Sequence, residues 1–266
     1  MRFSVLATAL FAAGAALAQR SPKPSLAGGV YTINGANYKN RAFFDFSTLK
    51  KGAAIPKGLI VSGYKVANTH KYEVANSFIQ DGYLTLRVPG NQAAKPFKSA
   101  EVVTQVTNIK YASVRTVAIL ADPPGVCNGM FFYKNDNQES DIEWLSDSLT
   151  QSNNGRGNTR KIWFANQDAD GDGQKTWTAV AAPANPTATE HEYRIDWVAA
   201  AGGSPAMVKF YLDGQESWRT TKDVPTVAGP WVFNNWANGD KGWSCGPPGK
   251  DADFKIKEID IYYNTA

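Results

Sequence analysis

The sequence of 266 residues has few of the side chains that bind transition metals or form covalent cross-links. It contains two histidines, His70 and His191, and two cysteines. A zinc site needs about four such ligands close together, and these residues are scattered along the chain. We therefore predict no zinc centre and no cofactor.

Charge of one sign is not concentrated anywhere in the chain. Lys and Arg number 28 against 24 Asp and Glu, and basic runs such as Lys50-Lys51 are short. Nucleic-acid-binding surfaces need clustered basic residues. We expect no nucleic-acid partner, and we predict a monomer.

Long apolar runs are found only at the N-terminal end. Met1-Arg2 is followed by an apolar stretch, Phe3 to Leu17, that ends in Ala16-Leu17-Ala18. This order is typical of a secretory signal peptide with an A-x-A cleavage site, and the stretch is too short to read as a convincing membrane span. We predict that residues 1–18 are a signal peptide and that the protein is secreted and extracellular, with no membrane association.

A secreted destination favours a disulfide between the two cysteines, Cys127 and Cys245. Such a bond would close a loop of roughly a hundred residues and stabilise the fold by up to ~4.7 kcal/mol on the chain-entropy model. Two buried free thiols are the alternative.

No convincing amphipathic helix is found, whereas short alternating segments separated by Gly, Pro, Asn and Asp recur. This pattern is typical of all-β sandwiches and barrels. We predict a two-sheet antiparallel β-jelly-roll sandwich with a concave cleft and a single domain at residues 41–266. Residues 19–40 are predicted to be an irregular lead-in, with a partial edge strand as the alternative. The predicted strands are 41–46, 59–66, 83–88, 100–106, 111–120, 129–133, 139–145, 161–166, 176–181, 191–198, 207–212, 231–236 and 254–263.

Three carboxylates stand at every second position of one predicted strand, in Glu139-Ser140-Asp141-Ile142-Glu143. Side chains two apart on a strand project from the same face, so Glu139, Asp141 and Glu143 should line one surface. Like charges side by side destabilise a strand and raise carboxyl pKa values. An acidic, solvated strand face is the alternative to a catalytic one.

Two carboxyls on either side of one bond are the machinery of glycoside hydrolysis. The Cα atoms of Glu139 and Glu143 should lie about 13 Å apart along a strand. Two glutamates leaning toward each other approach the ~5–5.5 Å carboxyl separation of a retaining mechanism more readily than the ~6.5–9.5 Å of an inverting one. The spacing favours retention.

These residues resemble the E-x-D-x-E signature of glycoside hydrolase family 16, whose fold is a concanavalin-like β-jelly roll. The resemblance covers most of the chain from about residue 40. Further similar segments are Gly129-Met130-Phe131-Phe132-Tyr133, Ser99-Ala100-Glu101-Val102-Val103-Thr104, Tyr111-Ala112-Ser113-Val114-Arg115, His191-Glu192-Tyr193-Arg194-Ile195-Asp196-Trp197 and Tyr211-Leu212-Asp213-Gly214.

The resemblance implies that Glu139 is the nucleophile and Glu143 the acid/base, with Asp141 between them. Family members with one more residue in this motif carry a bulge and are typically β-1,3-glucanases. The shorter motif here resembles the licheninase, xyloglucan-active and fungal wall-transglycosylase branches. It does not choose among them.

Sugar-binding clefts need aromatic faces and polar groups for hydroxyls. Asn234 and Trp236, on one face of a strand that resembles the licheninase cleft strand, are predicted to bind substrate, with packing in the core as the alternative role of Trp236. Glu101 matches an acidic cleft position, although Val103 stands where licheninases often carry Arg. Tyr133 and Trp163 are further cleft candidates, with packing between the sheets as their alternative role.

Two weak calcium candidates are present. Asp168, Asp170 and Asp172 have the alternating oxygens of a calcium loop, but Ala179 stands where that loop would need Glu. Asp260 could match the aspartate by which many family members hold a structural calcium on the convex face.

These observations predict a secreted retaining endo-β-glucanase that acts on β-1,3/1,4-linked cell-wall polysaccharide. A glucan, chitin or xyloglucan transglycosylase that uses the same residues is the first alternative. A non-catalytic glucan-binding lectin on the same fold is the second.

Overall fold

A computed structural model describes residues 20–154, 157 and 159–266, so the predicted signal peptide at residues 1–18 lies outside the described residues. The described chain is nearly all β-structure, apart from the short helix α1 (Gln151–Asn154) and a 3₁₀ turn at Val74–Asn76. No helix in these ranges is long and apolar enough to cross a membrane. The all-β prediction is confirmed.

Many strands are short and are separated by turns. In chain order they are β1 (Leu26–Ala27), β2 (Val30–Ile33), β3 (Ala36–Tyr38), β4 (Asn40–Asp45), β5 (Leu59–Val61), β6 (Lys65–Val66), β7 (His70–Tyr72), β8 (Ser77–Gln80), β9 (Tyr83–Val88), β10 (Phe97–Thr104), β11 (Ile109–Ile119), β12 (Cys127–Asn135), β13 (Gln138–Leu145), β14 (Lys161–Asn166), β15 (Thr176–Ala181), β16 (His191–Val198), β17 (Met207–Leu212), β18 (Gln215–Thr220), β19 (Trp231–Trp236) and β20 (Ala252–Thr265).

Within the described ranges these strands form two large sheets and one small sheet. The cleft sheet has nine strands in the order β15-β14-β13-β12-β19-β10-β7-β6, with β5 also paired to β10. The outer sheet has eight strands in the order β18-β17-β16-β11-β20-β9-β8, with β4 also paired to β20. Neighbouring strands are antiparallel except β10 and β7, which are parallel. This is the predicted jelly-roll sandwich.

The two large sheets enclose a core rich in aromatic side chains. Strand alternation sends Ile142 and Trp144 of β13 into that core, where each is 1% exposed. Each fully buried large side chain contributes about 1.5–3 kcal/mol. The core therefore gives β13 a rigid base for the side chains on its other face. Further fully buried aromatics are Phe132, Phe164, Trp197, Phe210, Trp231, Phe233 and Phe254.

The N-terminal lead-in is more regular than predicted, because β1, β2 and β3 form a three-stranded antiparallel sheet. Two tight turns connect them, Gly28-Gly29 at φ 59° and 78° and Asn34-Gly35 at φ 50° and 84°. Positive φ at both central residues is the requirement of a type I′ hairpin, which Gly and Asn tolerate best. The prediction of irregular structure at residues 19–40 is therefore wrong for residues 26–38.

Candidate active site

The three motif carboxylates lie on β13, whose pairing with β12 is continuous from Glu139 to Leu145 and shifts only beyond Glu139, between Tyr133 and Asn135. On β12, Glu139 faces Tyr133, Asp141 faces Phe131 and Glu143 faces Gly129. On the other side, the pairing with β14 is continuous from Ser140 to Trp144. No bulge interrupts the motif, so its three carboxyls all project from the face opposite the core.

Asp141 and Glu139 form a buried carboxyl pair. Asp141 is 2% exposed, and its Oδ2 accepts a hydrogen bond of 2.9 Å from Gln167 Nε2. Burial first, and then the charge of Asp141 and a hydrogen bond with its carboxyl, raise the pKa of Glu139. Burial also raises the pKa of Asp141. A hydrogen bond between two carboxyls requires a proton between them, so the pair retains a proton to higher pH than isolated carboxyls would.

Replacing Asp141 with Asn should lower kcat by about 10²-fold, because the amide cannot take up the proton that Glu139 shares with its neighbour. It should also move the acidic limb of the kcat/KM profile to lower pH. The reason is that removing the neighbouring negative charge lets Glu139 ionise more easily. Profiles of the variant beside Asp251→Asn, an exposed surface carboxylate, test this. An acidic limb that stays in place would contradict the coupling.

Glu143 is held through one of its two oxygens. Its Oε1 accepts a hydrogen bond from Cys127 Sγ and another from Trp243 Nε1, both at 3.1 Å. Burial raises the pKa of Glu143, and these two hydrogen bonds and the positive charge of Lys175 oppose that rise. Glu143 thus combines proton affinity with a fixed position, the two properties a general acid needs.

The predicted disulfide is not formed, since Cys127 and Cys245 are both free. Cys127 is buried on β12 and directs its sulfur to Glu143. Cys245 lies in a loop with φ 55°, its backbone N–H bonds Asp240 O, and its sulfur lies 3.8 Å from Lys241 O. Each sulfur contacts a local oxygen atom instead, Glu143 Oε1 and Lys241 O respectively.

Two cavities adjoin at Glu139 and Glu143, one of about 570 Å³ and one of about 680 Å³. All five side chains predicted to bind substrate line one or both of them. The first cavity is bordered by Glu101, Tyr133, Asn234 and Trp236, and the second by Trp163 and Trp236. The described residues therefore form a groove that continues on both sides of the carboxylates.

The polar floor of the first cavity is built by hydrogen bonds between strands. Glu101 on β10 is 4% exposed, and its Oε1 accepts bonds from Ser62 Oγ at 2.7 Å and Tyr64 OH at 3.1 Å. Asn234 on β19 donates to Tyr72 OH at 3.2 Å. Burial raises the pKa of Glu101, and the two hydroxyls oppose that rise. These groups are fixed before any ligand arrives, which reduces the entropy cost of binding.

Gly129 leaves the position opposite Glu143 without a side chain. A Cβ added there would lie 2.5 Å from Asn234 Oδ1, closer than any real contact. Gly129→Ala should therefore displace Asn234, destabilise the fold by about 1–3 kcal/mol and lower kcat/KM by about 10²-fold. Gly249→Ala, where a Cβ would meet nothing within 4 Å, is the matched control. Equal activity of the two variants would refute this account.

Sequence reasoning missed several side chains at the groove. Trp243, Lys175 and Trp177 line the second cavity, while His70 and Tyr64 line the first. Trp243 and Tyr64 lie in loops, His70 on the short strand β7, Lys175 just before β15 and Trp177 on β15. Tyr64 and Trp177 fall inside predicted strands, but the pattern did not place those strands at the cleft. An available signal was the single tryptophan in the Gly- and Asp-rich segment that follows Trp236, since a large apolar side chain in a polar loop often contacts a ligand or another element.

Trp236 and Trp163 are anchored by neighbouring aromatic rings. Trp236 stacks on His70 with centroids 5.4 Å apart. Trp163 packs 5.5 Å from Trp177 and 4.9 Å from Trp243. Such pairs add about 0.5–1.5 kcal/mol each beyond area burial. Trp163 is only 5% exposed, so Trp177, which is 44% exposed, offers the larger open face.

The two calcium candidates differ in their surroundings. One ligand oxygen from each of Asp168, Asp170 and Asp172 lies within 4.8 Å of the others, and carboxylate oxygens are ligands that calcium favours. Three backbone N–H groups already bond these carboxylates, among them Gly173 N–H to Asp168 Oδ2 at 3.0 Å. The cluster suits an Asp/Gly turn, and calcium binding there stays a prediction.

Asp260 is paired with two arginines. Its two oxygens accept a bidentate pair of hydrogen bonds from Arg41 at 2.8 and 3.0 Å, and Arg115 Nη2 lies 3.6 Å from Oδ2. Arg41 reaches Asp260 because β4 pairs with β20. Calcium binding at Asp260 also stays a prediction.

Comparison with known proteins places the fold. No protein-family model and no curated protein matches the sequence. Among solved structures, a prokaryotic β-1,3-1,4-glucanase (lichenase) from a mouse hindgut metagenome matches with a TM-score of 0.65 and 18% identity, covering 84% of this chain and 99% of the other. An endo-1,3-β-glucanase (laminarinase) catalytic domain from Thermotoga petrophila RKU-1 matches with a TM-score of 0.62 and 16% identity, covering 85% and 97%.

A third match belongs to the endo-acting O-glycanases with which human gut microbiota initiate mucin breakdown. It has a TM-score of 0.64 and 16% identity, and covers 91% of this chain and 94% of the other. Similarity at this level of identity concerns the backbone and not the substrate. The chain therefore has the jelly-roll fold of these glycoside hydrolases.

Proposed function

We propose that this protein is a secreted, retaining endo-β-glucanase of glycoside hydrolase family 16. The observation that carries the proposal is the placement of Glu139, Asp141 and Glu143 on one regular strand, at the junction of two cavities. A lectin has no need for a buried carboxyl pair that shares a proton. The fold similarity to lichenase and laminarinase structures adds support.

In the first step, the ionised Glu139 carboxylate attacks the anomeric carbon while Glu143 protonates the departing glycosidic oxygen. The glycosidic C–O bond breaks and an ester bond to Glu139 forms. In the second step, Glu143, now a carboxylate, takes a proton from water, whose oxygen attacks the anomeric carbon and releases Glu139. Two inversions give net retention.

Asp141 supports this division of roles because it can hold the proton shared with Glu139. When substrate enters, Glu139 must be the ionised member of the pair, and its neighbour then carries the proton. The hydrogen bond from Gln167 keeps Asp141 in place during this exchange.

The groove favours internal cleavage of a neutral, extended chain. Open cavities on both sides of the carboxylates leave room for sugar units in both directions. Aromatic rings such as Trp236 suit the apolar faces of glucose rings, and Glu101 and Asn234 suit hydroxyls. We infer that cell-wall glucans with β-1,3/1,4 linkages are the substrates.

A specific observation also favours transglycosylation. The second cavity, on the far side of Glu143 from Glu101, carries Trp163, Trp177 and Trp243. If these rings hold an acceptor sugar, its hydroxyl can replace water in the second step. The partition between water and sugar then depends on how long the acceptor stays bound.

Incubation with lichenan, laminarin, xyloglucan and chitin oligomers, followed by sizing of the products, tests these assignments. Shorter products that retain the β-configuration in early NMR spectra support the hydrolase. Products longer than the donor would assign the protein to the transglycosylases. Binding of these polymers without turnover of any of them would support the lectin alternative.

We also propose that the protein is exported after cleavage behind Ala18 and acts as a monomer. N-terminal sequencing of protein recovered from the culture medium should begin at Gln19. Light scattering should give the mass of one chain. Retention of the protein in the cells would contradict export, and a larger mass would contradict the monomer.

A further inference from the structure

We propose that Cys127 is a positioning residue that donates its thiol hydrogen to Glu143 Oε1, so that Glu143 Oε2 is the oxygen that exchanges a proton with the substrate. This inference rests on the proposed function. It gives a role to a cysteine that the sequence assigned to a disulfide. The sulfur lies 3.1 Å from Oε1.

The strand register explains why the thiol can reach the carboxylate. Glu143 faces Gly129 directly, and Cys127 lies two residues farther along β12, opposite Leu145. Side chains in this diagonal relation share a face at about 7–8 Å between backbones. Gly129, the residue directly opposite Glu143, contributes no side chain that could separate the thiol from the carboxylate.

The thiol acts as a donor and not as a second anion. Cys127 is 0% exposed. Burial first, and then the charge of Glu143, raise the pKa of the Cys127 thiol. It therefore keeps its hydrogen, and a thiol is only a weak donor. A weak donor in a dry site can hold a carboxylate without fixing it permanently in the ionised form.

Both recorded hydrogen bonds to Glu143 fall on the same oxygen. Trp243 Nε1 donates to Oε1 from a loop held by bonds such as Trp243 N–H to Asp240 O at 3.1 Å. The two donors approach from different elements, β12 and the loop after β19. Together they fix the direction of the carboxyl plane. Among the described residues no donor is recorded at Oε2, which leaves that oxygen for the proton that moves.

A spectroscopic test can detect the contact without any activity measurement. In the Cys245→Ser variant the infrared S–H stretching band reports Cys127 alone. The band should shift to higher frequency as the pH falls and Glu143 becomes protonated, because the acceptor weakens. In the Glu143→Gln variant the band should lie at this higher frequency at all pH values. A band that ignores both changes would overturn the proposal.

A count of free thiols tests the alternative, a disulfide between Cys127 and Cys245. Denatured protein prepared without reductant should react with about two equivalents of a thiol reagent. A count of zero would show a Cys127–Cys245 bond and overturn the proposal.

Kinetics separate positioning from mere packing. Cys127→Ala should lower kcat about 10-fold with KM nearly unchanged, and should move the alkaline limb of the pH profile upward, since Glu143 loses a bond that favours its ionised form. Cys127→Ser should have most of the original kcat, with the alkaline limb at its original pH. Cys245→Ser should match the unmodified protein in both kcat and pH profile. Loss of stability in Cys127→Ala with an unmoved limb would show a structural role only.

The outcomes also separate this proposal from the proposed function. If the unmodified protein cleaves none of the glucans but the S–H band follows Glu143, the function is wrong and the contact stands. If the protein is active but the S–H band does not follow Glu143 and the alkaline limb does not move in Cys127→Ala, the function stands and the role of Cys127 is wrong.

Discussion

Glu139→Gln is expected to lower kcat on glucan by about 10⁴-fold or more. The amide has nearly the same shape but cannot attack the anomeric carbon. Stability should not fall, because burial and the charge of Asp141 raise the pKa of Glu139, and the amide is neutral there without having to bind a proton. Single-turnover assays and thermal melts measure the two effects.

The matched control is Glu216→Gln on β18 of the outer sheet, a residue that lines neither cavity of the groove. It should retain full activity. Binding of the intact polymer to Glu139→Gln should also persist, since the groove is unchanged. Appreciable turnover by Glu139→Gln would remove Glu139 from the mechanism.

Glu143→Ala is expected to show the second large effect, a loss of about 10²–10⁴-fold on polysaccharide. The loss should nearly vanish in the first step on an aryl glucoside oligomer with a good leaving group, because such a group departs without a proton. The trapped glycosyl-enzyme should then accumulate. A pre-steady-state burst of the phenolate detects it.

Azide identifies which face of the sugar is attacked in the second step. Added to Glu143→Ala, it should restore turnover and yield a β-glycosyl azide, because the small anion replaces water on a glycosyl-enzyme formed with inversion. An α-azide would indicate direct displacement and exclude Glu139 as the nucleophile. Absence of rescue together with absence of a burst would remove Glu143 from the acid/base role.

The central part of the site was predictable because it depends on a local rule. Glu139, Asp141 and Glu143 share a face of β13 for the same reason that Ile142 and Trp144 share the other, namely the two-residue period of a strand. The same alternation placed Asn234 and Trp236 together. These predictions needed no knowledge of which strands are neighbours.

Features that depend on strand order were not predictable in this way. Trp243 contacts Glu143 across a hundred positions of sequence, and no period links a loop to a strand that far away. The disulfide prediction failed for a related reason, because a rule about compartments carries no information on where Cys127 points. Asn235 is a further example, since its amide donates to Leu86 O and Ala252 O, both at 2.8 Å and both on the outer sheet.

Some elements were missed although the chain contained a sign of them. The pairs Gly28-Gly29 and Asn34-Gly35 are hairpin signals, but the Pro, Gly and Asn content of residues 19–40 favoured the prediction of irregular structure. β18 is mostly exposed and reads Gln-Glu-Ser-Trp-Arg-Thr. Without an apolar face to alternate with, such an edge strand shows no periodic pattern.

The strand order of the cleft sheet has a consequence for folding. β19 lies between β12 and β10, and it supplies Asn234 beside the position opposite Glu143. During synthesis, β10, β12 and β13 are complete well before β19 leaves the ribosome. The part of the groove on β10 and the part on β12 and β13 can therefore be joined only when β19 pairs between them. Pairing over such distances is slow, typically milliseconds to seconds. The nascent chain should therefore contain the strand with the three carboxylates early, and should bind a sugar only after β19 has joined the sheet.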